Sequence, residues 1–488
     1  MSQQQPPISS VLNQTTANQV AQNRLKLASI SKTIFLCGRQ NISLRGHQDN
    51  FTDIERDTAC LHNHGNFMAL LNFRVDAGDV VLRDHLSKAS RNATYTSSVI
   101  QNQLMDILSK QVRQHIIDIV KVAKWFCIIA DEVTHVSNKE ILSLVVRYCE
   151  PDSLPCEDLV GFFQCNEGIT GRQLANMILT HLQSFGLDLS YLRGQAYDGA
   201  GNMSWSIRVV VKSLALTSVR NIMNIVRKGS STDIIHAVKE IETITSTIQN
   251  IRDNIDTYHD ELFPEIKQVC DTAGTVPSTP RTRARQTHRS NTPASSPSEY
   301  YLHTISIPLI DHLLSELKSR FSSHQSVALL GLCIVPSAML VLPVPEFLTH
   351  SFQLADKYKD DLLSPNSFAS ERECWKVKWQ RFAEEHGTTS LPSDLATALQ
   401  QVSSMYPNIT VLQQIFSTLP VTTCSAERSF ISLKRTKTPF HSTMTTERLT
   451  GLSLLHIHKD IQIDVEGVID EFSLANPRRM QVADILTD

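Results

Sequence analysis

The sequence reads as an α/β fold: a mixed sheet flanked by helices, followed by a long helical region. WFCIIA (residues 125–130) is a continuous apolar run of strand length that stops at Asp131-Glu132, a pattern that suits a strand buried on both faces. ILSLVVRYC (141–149) and LVGFFQ (159–164) repeat it, with turn-like, Pro-bearing sequence between them. A helix-like segment at 174–182 leads to a fourth strand, LRGQAY (192–197), ending in Asp198 and Gly199. Beyond Trp205 the pattern is mostly helical.

In chain order, residues 1–30 are rich in Gln, Asn, Ser and Thr with little apolar periodicity. They read as a disordered tail or frayed helix. FMALL (67–71) is a short helix. Residues 99–122 carry Leu104, Ile107, Leu108, Val112, Ile116, Ile117 and Val120 near helical spacing, which predicts a core-facing helix. The four strands follow, with acidic residues at the ends of the first (Asp131) and the fourth (Asp198). Residues 275–298, TVPSTPRTRARQTHRSNTPASSPS, are dominated by Pro, Ser, Thr and Arg and read as a disordered linker. An amphipathic helix is expected over 305–321, with further helices to about 405. No internal repeat is evident.

The 488 residues can bury a sizeable core and allow two to four domains. A hydrophobic share of 41% and a charged share of 19% are those of an ordinary globular chain. A net charge of −3 gives no global attraction to nucleic acid, so DNA binding would need a local basic patch. Ten scattered Cys without a C-x-x-C pair argue against a disulfide framework or zinc ribbon and fit a reducing compartment. No signal peptide is read in the polar first thirty residues. The run at 327–342, broken by Pro336, is too short for a membrane span.

Three carboxylates are candidate catalytic and metal-ligating groups: Asp131, Asp198 and Glu427. Two-metal phosphoryl transfer needs carboxylates converging on ions about 3.5–4 Å apart, and neighbouring strand ends hold side chains in fixed positions. The plainer reading remains open for each. Asp at a strand end is commonly a turn residue, and Glu in a first helical turn complements the macrodipole. Cys60, His62 and His64 lack partner ligands and read as a loop; no zinc site is evident. Lys434, Arg435 and Lys437 are candidate DNA-backbone contacts, or else a solvated helix face. Arg281, Arg283, Arg285 and Arg289 form a basic run suited to phosphate contact, nuclear import or plain solvation. Leu449, Leu452 and Leu455 share one face of a helix over 447–458, which packs either on its own domain or on a second subunit.

ADEVTHVSNKE (130–140), GQAYDGAGNMS (194–204) and SAERSFISLKR (425–435) resemble, in order, the three acidic blocks of hAT-transposase-derived proteins. LPVTTCSAERSF at 419–430 and the segment to Asp460 resemble their C-terminal dimerisation region. FLCGRQNISLRGH (35–47), the GNF at Gly65 and THRSNTPASSPSEYY (287–301) are similar to the domesticated branch with zinc-finger MYM-type or THAP-type relatives. The resemblance runs from about Phe35 to Asp460. It implies an RNase H-like core interrupted by a helical insertion, an acidic triad of Asp131, Asp198 and Glu427 holding Mg²⁺ if catalysis persists, and a homodimer through Leu449, Leu452 and Leu455. The implied organisation is a tail (1–30), the N-terminal part of the core (31–215), a shortened insertion (216–274), the linker (275–298), a helical region (299–404), the dimerisation region (405–465) and a C-terminal tail (466–488). Two departures stand out. No Cys has a His three residues later, so the family's Cys-x-x-His pair is missing after the second acidic block. The family's N-terminal zinc-binding module is also missing. The expectation is therefore a dimerising, non-catalytic descendant in the nucleus, or otherwise the cytoplasm, that associates with itself and with DNA but not with membranes. The alternative is an active Mg²⁺-dependent DNA transposase.

Overall fold

The computed structural model describes residues 8–44, 65–90, 93–134, 140–150, 155–166, 168, 170–197, 234–272, 275–279, 293–420, 424–436, 444–475 and 480–482. Asp198, Lys437, the basic run 281–289 and the Cys60–His64 cluster lie outside the described residues.

Four strands form one mixed sheet: β1 (Phe126–Thr134), β2 (Glu140–Cys149), β3 (Pro155–Gln164) and β4 (Leu192–Tyr197), in the order β3-β2-β1-β4. β1–β2 and β2–β3 are antiparallel, while β4 lies parallel to β1 on its far side. A parallel neighbour requires a crossover, and helix α5 (Gly171–Ser184) supplies it. The N–H of Thr170, at the N-terminus of α5, donates to the Gln173 side chain at 3.1 Å. β2 is buried from Ile141 to Cys149, as a central strand covered on both faces must be. This is the mixed α/β sheet that the sequence predicts.

The sheet is packed between helices. α4 (Ser98–Ala123) is capped by Ser97, whose hydroxyl accepts from Ile100 N, and it buries Leu104, Leu108, Val112, Ile116 and Val120. On the other face lie α11 (Pro407–Thr418) and α12 (Cys424–Thr436). α13 (Thr446–Ile457) runs along β3, the edge of the sheet. There the Thr450 hydroxyl donates to Phe162 O (2.9 Å) and accepts from Phe162 N (3.3 Å). His458 Nε2 lies 2.9 Å from Leu159 O, and Arg113 Nε donates to Val160 O at 2.7 Å. An uncovered strand edge is a template for pairing with other chains; here side chains satisfy its backbone groups.

Both terminal expectations need correction. Of the expected tail over 1–30, the described residues 8–30 are helical and not a tail. α1 (Ile8–Arg39) is helical from Ile8 and buries Val20, Leu27, Ile30, Ile34 and Cys37, one residue or so per turn, against α13 and α14 (Val465–Ala475). Nor are residues 466–475 a tail, because Val468, Ile469 and Phe472 of α14 are fully buried. Arg24 of α1 pairs with Glu466 and Asp470 of α14 (2.7 and 2.5 Å), and Gly38 lets α1 approach Leu455. Two short helices, α2 (Asn66–Asp76) and α3 (Val80–Lys88), complete this layer.

Within 216–274 the described residues form two helices, α6 (Ile234–Asp253) and α7 (Ile255–Thr272), and the helical turn at 297–301 begins inside the expected linker. α8 (Ile307–Gly331), α9 (Val344–Lys357) and α10 (Phe368–His386) follow, in the helical region expected over 299–404. Their core is built on Trp375 and Trp379, both fully buried with ring centroids 5.3 Å apart. Leu419, Trp125 and Cys127 join this core to the sheet. At that seam a Cβ on Gly194 would meet Cys127 Sγ at 3.0 Å and Pro420 Cδ at 3.1 Å, so Gly lets the 419–420 segment close on β4 without displacing either atom.

Candidate functional site

The face of the sheet that carries Asp131 follows from register. Asp131 stands opposite Ser143, and Cys127 opposite Arg147. Residues directly opposite share a face, as do alternate residues of one strand. Ser143 Oγ is 2.7 Å from Ser429 Oγ of α12, and Cys127 Sγ is 3.7 Å from Thr418 Oγ1 of α11. Asp131 therefore lies on the face covered by α11 and α12. It is half-buried, and its Oδ1 accepts from Glu132 N at 2.8 Å. β1 continues three residues beyond it, because the pairing with β2 extends to Thr134–Glu140. β4 ends at Tyr197, paired with Ala130, the residue before Asp131.

α12 brings the third acidic block to this face. Its buried stripe is Ala426, Ser429, Phe430, Leu433 and Thr436, with Phe430 stacked on Phe162 of β3 at 5.9 Å. Glu427 lies in the first turn on the flank of that stripe and is exposed; Lys434 and Arg435 lie in the last turn and are exposed. An acid at the start and bases at the end both complement the helix dipole. Among the described residues no three His, Cys, Asp or Glu side chains form a metal-binding group. Since Asp198 is outside them, the full triad is not within the described set.

What anchors α12 is a buried network that periodicity does not reveal. Arg147 of β2, fully buried, pairs with Glu157 of β3, 2% exposed, at 2.5 Å. Arg147 Nε and Nη2 both donate to Ser417 O, the penultimate carbonyl of α11, at 3.3 and 3.2 Å. The other oxygen of Glu157 accepts from the Ser425 hydroxyl, and Arg428 Nη2 donates to Ser425 Oγ at 2.5 Å. Ser425 and Arg428 of the SAER block thus dock α12 onto an ion pair rooted in the sheet. A cavity of about 260 Å³ beside it is lined by Val145, Glu157, Leu159, Ser425, Arg428 and Ser432. The signal available in sequence was Arg147 itself: a lone cation in the apolar run ILSLVVRYC needs a buried carboxylate, but naming Glu157 requires the β2–β3 register.

The leucine assignment is corrected. Leu449, Leu452 and Leu455 are 1%, 6% and 0% exposed within a single chain. α13 buries them against α4, β3 and α1, so they close the chain's own core and offer no face to a second subunit.

A wider groove of about 490 Å³ runs beside β4, lined by Arg193, Gln195, Lys357, Tyr358, Asp361 and Pro420 among others. The Arg193–Asp361 ion pair ties β4 to the segment after α9. No helix among the described residues is long and apolar enough to cross a membrane.

Residues 1–208 match the family model described as the ZMYM1/FAM200, RNase-like domain, and residues 364–461 match the hAT family C-terminal dimerisation region. The chain is similar to the human (Homo sapiens) 52 kDa repressor of the inhibitor of the protein kinase, 22% identical over 92% of this chain and 76% of that protein. The mouse (Mus musculus) counterpart is 23% identical over 96% of this chain and 80% of that protein. These alignments run to 595 and 619 positions, more than the 488 residues of this chain. The relatives therefore carry residues inside the matched span that this chain lacks.

Proposed function

Since the chain belongs to the hAT-transposase-derived proteins, we propose that it acts by self-association through its C-terminal region and not by DNA cleavage. The match of residues 364–461 to a dimerisation region carries this reading. The missing Cys-x-x-His pair supports the loss of catalysis. The similar human protein is named a repressor, which favours a nuclear role in which binding, to protein or to DNA through Lys434, Arg435 and Lys437, is the activity. Sedimentation equilibrium of the whole chain tests the reading: a concentration-dependent dimer is expected, and a monomer at every concentration overturns it.

A second reading, Mg²⁺-dependent DNA cleavage and strand transfer, is favoured by one observation. Asp131 lies on the sheet face that α12, the bearer of Glu427, covers, and β4 ends beside it. Carboxylate oxygens suit a hard divalent cation, so Asp131, Asp198 and Glu427 would be its ligands. Bound there, Mg²⁺ would polarise a phosphoryl oxygen and activate the attacking hydroxyl. Mn²⁺ calorimetry on the parent chain and on an Asp131→Asn, Asp198→Asn variant separates the readings. Binding that vanishes in the variant would support the second; no binding by the folded parent would favour the first.

A further inference from the structure

α9 carries two apolar stripes, and among the described residues only one is buried. Phe347, Ser351 and Leu354 face inward and are fully buried. Val344, Leu348 and Phe352 follow at i, i+4 and i+8 along the adjoining side, with Val341 just before them. Val341, Val344 and Phe352 are 83%, 58% and 66% exposed, and Leu348 is half-buried. Single exposed apolar residues are ordinary on a protein surface. Val344, Leu348 and Phe352 at helical spacing, with Val341 just before them, put several on one side, a mark of an interaction surface.

The surroundings indicate what covers it. The Phe352 ring lies 5.9 Å from the Arg372 guanidinium of α10, which also sits 5.4 Å from the buried Phe347 ring. Arg372 falls inside residues 364–461, the segment matched to a dimerisation region. The patch therefore adjoins, through Arg372, the segment matched to a dimerisation region, whereas the leucines of α13 are consumed by the monomer core.

We propose that the α9 stripe is the apolar centre of the homodimer, packed on the same stripe of a second copy. The proposal rests on the self-association reading above. A two-fold axis near Leu348 sets Val344 of one protomer against Phe352 of the partner subunit, so the surface is its own complement, as an isologous interface requires. A helix of this length spans about 21 Å. A pair of them buries less than the roughly 800 Å² per partner of a standard interface, so a weak, concentration-dependent dimer is expected.

The test is sedimentation equilibrium of the full chain and of a Val344→Glu, Phe352→Glu variant, with circular dichroism to check folding. Both positions are exposed, so the variant should fold as the parent does; if it does not, Val344→Ala, Phe352→Ala replaces it. A parent dimer weakened on the order of a hundred-fold by the substitutions is the expected result. A variant that dimerises as tightly as the parent overturns the stripe while leaving self-association standing. A parent that stays monomeric overturns both.

Discussion

Removing the Glu157 carboxylate should cost far more than removing the whole ion pair to which it belongs. The guanidinium of Arg147 is fully buried and Glu157 is 2% exposed. In Glu157→Leu the guanidinium keeps the Ser417 carbonyl but loses its counter-charge in a site closed to water. Leaving one partner of a buried pair uncompensated costs about 3–5 kcal/mol. In Arg147→Met, Glu157→Leu the desolvation of both charges is also removed. What remains is the Ser417 carbonyl without its donors, about 1–3 kcal/mol, against better apolar packing beside Val145. The double variant should therefore lie within about 2 kcal/mol of the parent; with Arg147→Met leaving the Glu157 carboxylate uncompensated at a similar cost of about 3–5 kcal/mol, the coupling energy is at least about 4 kcal/mol. Urea unfolding followed by both circular dichroism and tryptophan fluorescence measures this, the two probes being needed because a chain with several cores need not unfold in one step. A single variant losing less than about 1 kcal/mol, or a double variant losing the sum of the two singles, refutes the reasoning. Hydrogen exchange adds a local readout: with Ser425 deprived of its acceptor, the amides of α12 should lose protection first.

Thr450→Val keeps the shape of the side chain but leaves Phe162 N and O on a buried strand edge without partners; a loss of about 2–3 kcal/mol is expected in urea unfolding, and Thr450→Ser should restore most of it. Leu452→Asp puts a carboxylate into a core position 6% exposed and should abolish folding, seen as lost circular dichroism, where an interface role would yield a folded monomer. Burial holds the His85 ring below the ordinary imidazole range; the Thr94 carbonyl pulls it part-way back and Lys26 adds to the fall. A base with a depressed folded pKa takes up its proton first in the unfolded chain, so its stabilisation is present above about pH 6.5 and is lost as pH falls below it. The stability difference between the parent and His85→Gln should shrink by at most about 1.4 kcal/mol per pH unit between pH 6.5 and pH 5; a difference that stays constant would refute the assignment.

β1 and β2 are legible because a strand buried on both faces must be apolar; LRGQAY at 192–197 also coincides with β4, although no residue of that strand is fully buried. The helix at 99–122 is legible because seven apolar residues hold one face of α4. α1 escapes the same reading. Its apolar residues come about one per turn among Gln and Asn, and what makes them a buried stripe is α13 and α14, more than four hundred residues later. The leucines of α13 fail differently: their period gives a buried face, but period alone does not say against what. Here α4, β3 and α1 claim it, and the face left over is on α9, seven residues before the matched dimerisation segment begins. The candidate site divides along the same line. Asp131 and Glu427 are legible as residue types in resembling blocks, yet where Glu427 stands depends on how α12 docks. That docking is set by the opposition of Arg147 and Glu157 across β2 and β3. The geometry of the acidic block is thus held from a pair 270 to 280 residues upstream of Glu427. A change at position 157 should therefore displace Glu427 without touching it, so any metal affinity of the chain should fall in Glu157→Leu and return in the double variant with Arg147→Met only if Ser425 and Arg428 find their places again without the carboxylate.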